Sequence, residues 1–94
     1  MREKEIEQAL TKEVKKLGGM AFKFVSPGFD GMPDRLVILP GARVAFVELK
    51  APGQHPRPLQ ESRHRLLRGL GMRVYVVDSI AGVKEVISEI AAKK

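Results

Sequence analysis

Asp34, which closes the tetrapeptide Gly31-Met32-Pro33-Asp34, and Glu48, fourteen positions later with Lys50 two residues beyond it, are the residues of this chain best suited to chemistry. Two carboxylates and an ammonium brought to one point can hold a divalent cation and stabilise charge on a phosphate, which is what phosphodiester hydrolysis requires. The residues around them supply the means. Residues 34–39 and 43–50 are rich in Val, Leu, Ile and Phe, and Pro40-Gly41-Ala42 between them is turn chemistry, so the reading is two antiparallel strands. A turn centred on Gly41 pairs Leu39 with Arg43, Ile38 with Val44, Leu36 with Phe46 and Asp34 with Glu48. Because side chains alternate along a strand, Asp34, Leu36, Ile38, Val44, Phe46, Glu48 and Lys50 then share a face. Opposed residues lie roughly 4.5 to 5.5 Å apart at Cβ, where like charges destabilise a sheet. Mg²⁺, commonly bound by one or two carboxylates plus waters and phosphate oxygens, would compensate. Lys50 could then stabilise charge on the scissile phosphate or orient a water. A slip of one residue in the register would instead place the carboxylates on opposite faces, as ordinary solvated strand ends.

These residues also carry a family resemblance. GMPD, ELK and Pro58-Leu59-Gln60, in that order after an acidic first helix, resemble the signature of the PD-(D/E)xK nucleases, and most closely its VRR-NUC branch, small nuclease domains found alone in phages and bacteria or fused to larger DNA repair enzymes. The likeness runs from Glu3 to about Asp78. It implies Mg²⁺ or Mn²⁺ held by Asp34, Glu48 and the Leu49 carbonyl, with Lys50 catalytic and Gln60 near the site. It further implies a glutamate from the first helix beside the metal, and a homodimer that cuts branched DNA in the cytoplasm of a bacterial or phage-infected cell.

The first helix offers several glutamates. Ile6, Leu10, Val14 and Leu17 form the apolar stripe of a helix from about Arg2 to Leu17, stopped by Gly18-Gly19. On a helical wheel Glu3 lies within about 40° of the stripe centre, Glu7 roughly 80° and Glu5 about 120° away, so Glu3 is the candidate. The alternative is that all three are solvated first-turn acids favoured by the helix dipole.

Charge points to a polyanionic partner. The chain carries a formal net charge of +6, and between Ala51 and Tyr75 five arginines, Arg57, Arg63, Arg65, Arg68 and Arg73, face one acid, Glu61. Arg57, Arg63, Arg65 and Arg68 are the candidate DNA contacts, directly after the ExK strand; the competing reading is a solvated helix face. Ala51 to Pro58 contains three prolines besides a glycine and reads as a substrate-facing loop. The helix after it, Leu59 to Leu70, directs Leu59, Leu66, Leu67 and Leu70 inward, with Gln60 either reaching the site or capping the helix. Arg63 falls on the apolar side of that wheel, so it either snorkels outward or turns to a buried phosphate. His55 and His64 read as phosphate contacts or neutral surface residues, and Asp30 as a lower-ranked alternative ligand.

The remaining elements complete the architecture. Met20 to Val25 alternates as a half-buried strand, with Met20, Phe22 and Phe24 on one side, and the glycines of Ser26 to Gly31 suggest backbone close to substrate. Arg73 to Val77 is a further strand, and Asp78 or Ser79 can cap a last helix built on Val83, Val86, Ile87 and Ile90. The expectation is a single α/β domain over residues 1–94, a PD-(D/E)xK nuclease core of order αβββαβα, with helices covering both faces of a central mixed sheet. No run approaches the length of a membrane helix and the amino terminus is charged, so a soluble intracellular chain is expected. Zero cysteines exclude disulfides and thiolate metal sites, and two histidines nine apart do not make a zinc pattern. No base-reading motif is visible, which argues against sequence-specific recognition. Two functional classes follow: a metal-dependent DNA endonuclease, or a nucleic-acid-binding module or partner-dependent subunit that keeps the fold without independent turnover.

Overall fold

The computed structural model describes residues 2–92. Helix α1 (Glu3–Lys16), strands β1 (Met20–Lys23), β2 (Arg35–Leu39) and β3 (Arg43–Leu49), helix α2 (Pro58–Gly69), strand β4 (Arg73–Val77) and helix α3 (Ile80–Ala92) follow one another in the expected order. They build a four-stranded mixed sheet, β1-β2-β3-β4, antiparallel except for the parallel pair β3 and β4. A parallel pair needs a crossover, and the segment carrying α2 supplies it.

The hairpin has the register that its turn chemistry predicts. Leu39 pairs with Arg43, Ile38 with Val44, Leu36 with Phe46, and the last ladder pair is Arg35 with Val47. The turn is tight enough that Gly41 and Ala42 both take positive φ, 87° and 59°. Asp34 and Lys50 fall one residue outside their strands.

One face of the sheet carries the main core. Ile6, Leu10 and Val14 of α1, together with Val83, Ile87 and Ile90 of α3, pack on Val37, Val47, Leu49 and Val77. Ser79 caps α3, its Oγ accepting the Gly82 N–H at 2.9 Å. Leu17, expected in the buried stripe, is 46% exposed, because it is the residue at which the chain leaves α1. The chain then turns through Gly18, at φ 79°.

The opposite face is covered by α2 alone. There Phe46, Leu67 and Val74 form a second, smaller core, with Phe24 edge-on to Phe46 at 5.3 Å between ring centroids. Met20 is 62% exposed and Phe22 is exposed as well, so β1 is less buried than its alternation suggests and only Ala21 packs on the main core. A period-two pattern identifies the two sides of a strand but not whether a helix lies over them.

A larger departure concerns α2. Of the leucines expected inward only Leu67 is buried; Leu59, Leu66 and Leu70 are exposed. The inward stripe is Gln60, His64 and Leu67, at i, i+4 and i+7. The helix is rolled so that polar side chains meet β3, for reasons that lie in the site itself. No helix among the described residues is long and apolar enough to cross a membrane.

Candidate active site

Asp34 is delivered by the loop after β1. Gly31 sits at φ 88°, and a Cβ there would come within 2.8 Å of Leu59 Cγ and 3.1 Å of Arg63 Cγ, so its glycine serves close approach of the loop to α2. The sequence suggested approach to substrate instead; the crowding found is with the helix. Arg63 closes the contact from the other side. Its Nε donates to the Asp30 carbonyl at 2.8 Å and its guanidinium stacks on the Phe29 ring at 4.0 Å. That is why an arginine occupies the apolar side of the wheel: it holds the loop. Asp30 is exposed and meets α2 through its backbone.

Past the end of the ladder Asp34 stays opposite β3. Its carbonyl accepts the Phe24 N–H at 2.9 Å and its Oδ1 accepts the Leu49 N–H at 3.1 Å. Glu48, on the sheet face under α2, is 3% exposed. Its Oε2 accepts a hydrogen bond from Gln60 Nε2 at 3.2 Å and lies 3.6 Å from Lys50 Nζ. Lys50 in turn donates to Gln60 Oε1 at 2.9 Å, an oxygen that also accepts the Arg57 N–H. Gln60 therefore does both things left open for it, capping α2 and bridging Lys50 to Glu48.

The electrostatics of this cluster favour an added cation. Burial first, and then the Asp34 carboxylate, push the Glu48 carboxyl up to about 7, against the pull of Lys50. Burial raises Asp34 too, opposed by its hydrogen bond from Leu49 and reinforced by Glu3. Both carboxyls, Glu48 buried and Asp34 half-buried, are thereby held against ionisation.

The first-helix glutamates separate by role. Glu5 accepts the Arg2 N–H at the helix start, and Glu7 pairs with Arg35 of β2. Glu3, exposed on the first turn, is near enough to raise both Asp34 and Glu48. It does not join them in a cage: among the described residues no three His, Asp or Glu side chains converge as a metal cluster.

Two of the candidate arginines are committed to the fold. Arg63 holds the loop, and Arg68 donates to the Val74 carbonyl at 2.7 Å. Arg57 and Arg65 are exposed. A cleft of about 310 Å³ beside the cluster is lined by His55, His64, Arg65, Arg68 and the exposed Val76 among others. The loop leading into α2 is tied to the end of β4 by a long contact, 3.4 Å, between the Gly53 N–H and Asp78 Oδ2.

His64 is the residue that sequence reasoning misplaced. It is 2% exposed, not a surface residue, with Nε2 3.7 Å from Glu48 Oε1. Burial, helped by the Arg68 and Lys50 charges, lowers its pKa and keeps it neutral. Its spacing of four from Gln60 was the available signal, outweighed by the leucines of the same helix.

No family model matches the sequence. The chain is 54% identical over 79 residues to the "Putative nuclease p44" of Acyrthosiphon pisum secondary endosymbiont phage 1, a match covering 84% of this chain and 85% of that protein. Its backbone superposes on a solved VRR_NUC domain with a TM-score of 0.85 and 34% identity, over 92% of this chain and 94% of that one. With the ordered GMPD, ELK and PLQ segments placed on the matching fold, the chain belongs to the VRR-NUC family.

Proposed function

We propose that this chain is a metal-dependent endodeoxyribonuclease that hydrolyses phosphodiester bonds in branched DNA, four-way junctions above all, as a homodimer. Nuclease activity is what the family and the relative's name support. The observation that carries the reading is the pair of carboxyls, Glu48 buried and Asp34 half-buried, placed together at the end of the hairpin with Lys50 beside them.

The residues present fit a hard divalent cation, Mg²⁺ or Mn²⁺. Glu48 Oε1 is buried without a hydrogen-bond partner, both carboxyls are raised, and carboxylate plus carbonyl oxygens are the donors such an ion takes. Asp34, Glu48 and the Leu49 carbonyl would hold it, with Glu3 adding negative charge nearby. The ion would supply charge neutralisation at the scissile phosphate and an acidified water. Lys50, oriented by Gln60, presents its ammonium to the phosphate oxygens and stabilises the charge that develops there. Arg65, which lines the cleft, and the exposed Arg57 bind flanking phosphates.

The dimer follows from the task. Resolving a junction takes two cuts on opposed strands, each chain has one such site, and a two-fold pair provides two. Exposed Met20 and Phe22 on edge strand β1 are apolar surface suited to such a contact.

The test is to incubate the protein with labelled linear, single-stranded, flap and four-way-junction DNA, with Mg²⁺ and with EDTA. Junction cleavage is expected only with metal, reduced by orders of magnitude in Asp34→Asn, Glu48→Gln and Lys50→Ala while metal-free DNA binding persists. Undiminished cutting by the two carboxylate variants overturns the assignment. Binding without turnover under any metal favours the non-catalytic module, and a sedimenting monomer that cuts flaps but spares junctions removes the dimer and the junction preference alone.

A further inference from the structure

Glu48 is gripped from α2 through one oxygen and faced through the other. Gln60 Nε2 donates to Oε2, whereas Oε1 and His64 Nε2 lie 3.7 Å apart, both buried and both without a hydrogen-bond partner. Buried polar atoms are nearly always paired, and each one left unpaired is destabilising. Here two orphans face each other. Gln60 and His64 stand four residues apart on α2, so one helix face sets a polar side chain against each oxygen of a single carboxylate.

We infer that His64 is a positioning residue for Glu48: as the Nε2–H tautomer it donates to Oε1, so that Gln60 and His64 together fix the plane of the carboxylate through both of its oxygens. A carboxylate has about four lone-pair sites, so two hydrogen bonds leave room for a cation. Neutral imidazole has one donor nitrogen and one acceptor, and opposite an ionised Glu48 only a proton on Nε2 makes this contact attractive. An Nε2 lone pair aimed at Oε1 would set two acceptors against each other in a dry site. The inference rests on the reading of Glu48 as a metal ligand and adds to it the residue that orients that ligand, the kind of support whose loss weakens metal binding without touching the metal.

The experiment uses the full chain and Mn²⁺ as the probe. Long-range ¹⁵N NMR of the metal-free protein at pH 8 is expected to show His64 as the Nε2–H tautomer. Calorimetric titration is expected to show Mn²⁺ affinity lowered about 10- to 100-fold in His64→Leu, which fills similar space without a donor. His64→Gln, whose amide places a donor near the Nε2 position, is expected to recover affinity to within about threefold of wild type, a rescue that mere packing would not produce. An Nδ1–H tautomer, unchanged affinity in His64→Leu, or a His64→Gln as impaired as His64→Leu each overturns the positioning role and leaves the nuclease reading standing. Should His64→Leu fail to fold, the tautomer and His64→Gln still decide the matter. A wild-type chain that binds no Mn²⁺ at all overturns the metal-dependent reading, and this inference with it.

Discussion

On one face of the sheet α1 and α3 press Ile6, Leu10, Val83 and Ile87 against Val37, Val47 and Leu49; on the other, α2 turns Gln60 and His64 onto Glu48. All three buried polar or charged side chains among the described residues, Glu48, Gln60 and His64, belong to the second face. Both faces are made by helices over the same β3, yet in one the helices bury what the hydrophobic effect favours and in the other three leucines of α2 stay in water. The first face therefore supplies stability, while the second accepts buried charge and unpaired atoms in exchange for a poised cluster. Active sites are where such local conflicts are expected.

The comparison is broken or sharpened most strongly by truncating a leucine on each side. Leu10→Ala, at a fully buried position, should cost about 2–5 kcal/mol of unfolding free energy in urea. Leu66→Ala should stay within about 0.5 kcal/mol. Equal losses would erase the distinction. A loss at Leu66 that grows with protein concentration would show that a second copy covers that helix face.

Next in size is the charge buried under α2. In EDTA the unfolded chain releases the Glu48 proton near 4.5, whereas burial and Asp34 keep it on the folded chain to about 7. Folding then takes up a proton between those values, so stability is greatest below 4.5 and falls as pH rises to about 7, by on the order of 3 kcal/mol. Asp34, also raised, adds to the fall. Glu48→Gln, uncharged throughout, should flatten most of this slope, leaving the variant more stable than wild type at pH 8. Urea melts at pH 4.5 and pH 8 measure it, and an unchanged slope would mean that the buried carboxyl is not strained.

How much of this was legible in the sequence depends on how local the determinant is. The hairpin register was readable because Pro40-Gly41-Ala42 and the alternation of Leu36, Ile38, Val44 and Phe46 are local facts. On the first helix the wheel alone separates Glu3 from Glu5 and Glu7, which pair with Arg2 and Arg35. The roll of α2 was not local. Counting leucines orients an isolated amphipathic helix, but here the helix is turned by contacts to other elements: Gln60 to Glu48 and Lys50 and Arg63 to Asp30. The exposure of β1 was hidden for the same reason, since no strand encodes where a helix over its neighbours will end.

The smallest effects divide the arginines of α2 and its entry loop by what they touch. Arg57 is exposed and Arg65 is exposed and lines the cleft, whereas Arg63 is bonded to the Asp30 carbonyl and Arg68, which also lines the cleft, to that of Val74. Only charges free to meet phosphate release counterions, so Arg57→Ala and Arg65→Ala should each shallow the plot of log affinity against log salt by up to roughly 0.9, with unfolding unchanged. Arg63→Ala and Arg68→Ala should do the reverse, leaving the slope near its wild-type value and lowering stability by about 1 kcal/mol as each leaves a carbonyl without its donor. Fluorescence anisotropy of a labelled junction over a salt series in EDTA, with thermal melts of the same four variants, separates the two pairs. If all four arginines moved the slope alike, the basic stretch would be one undivided phosphate-binding face, and the structural duties of Arg63 and Arg68 would be incidental to DNA binding.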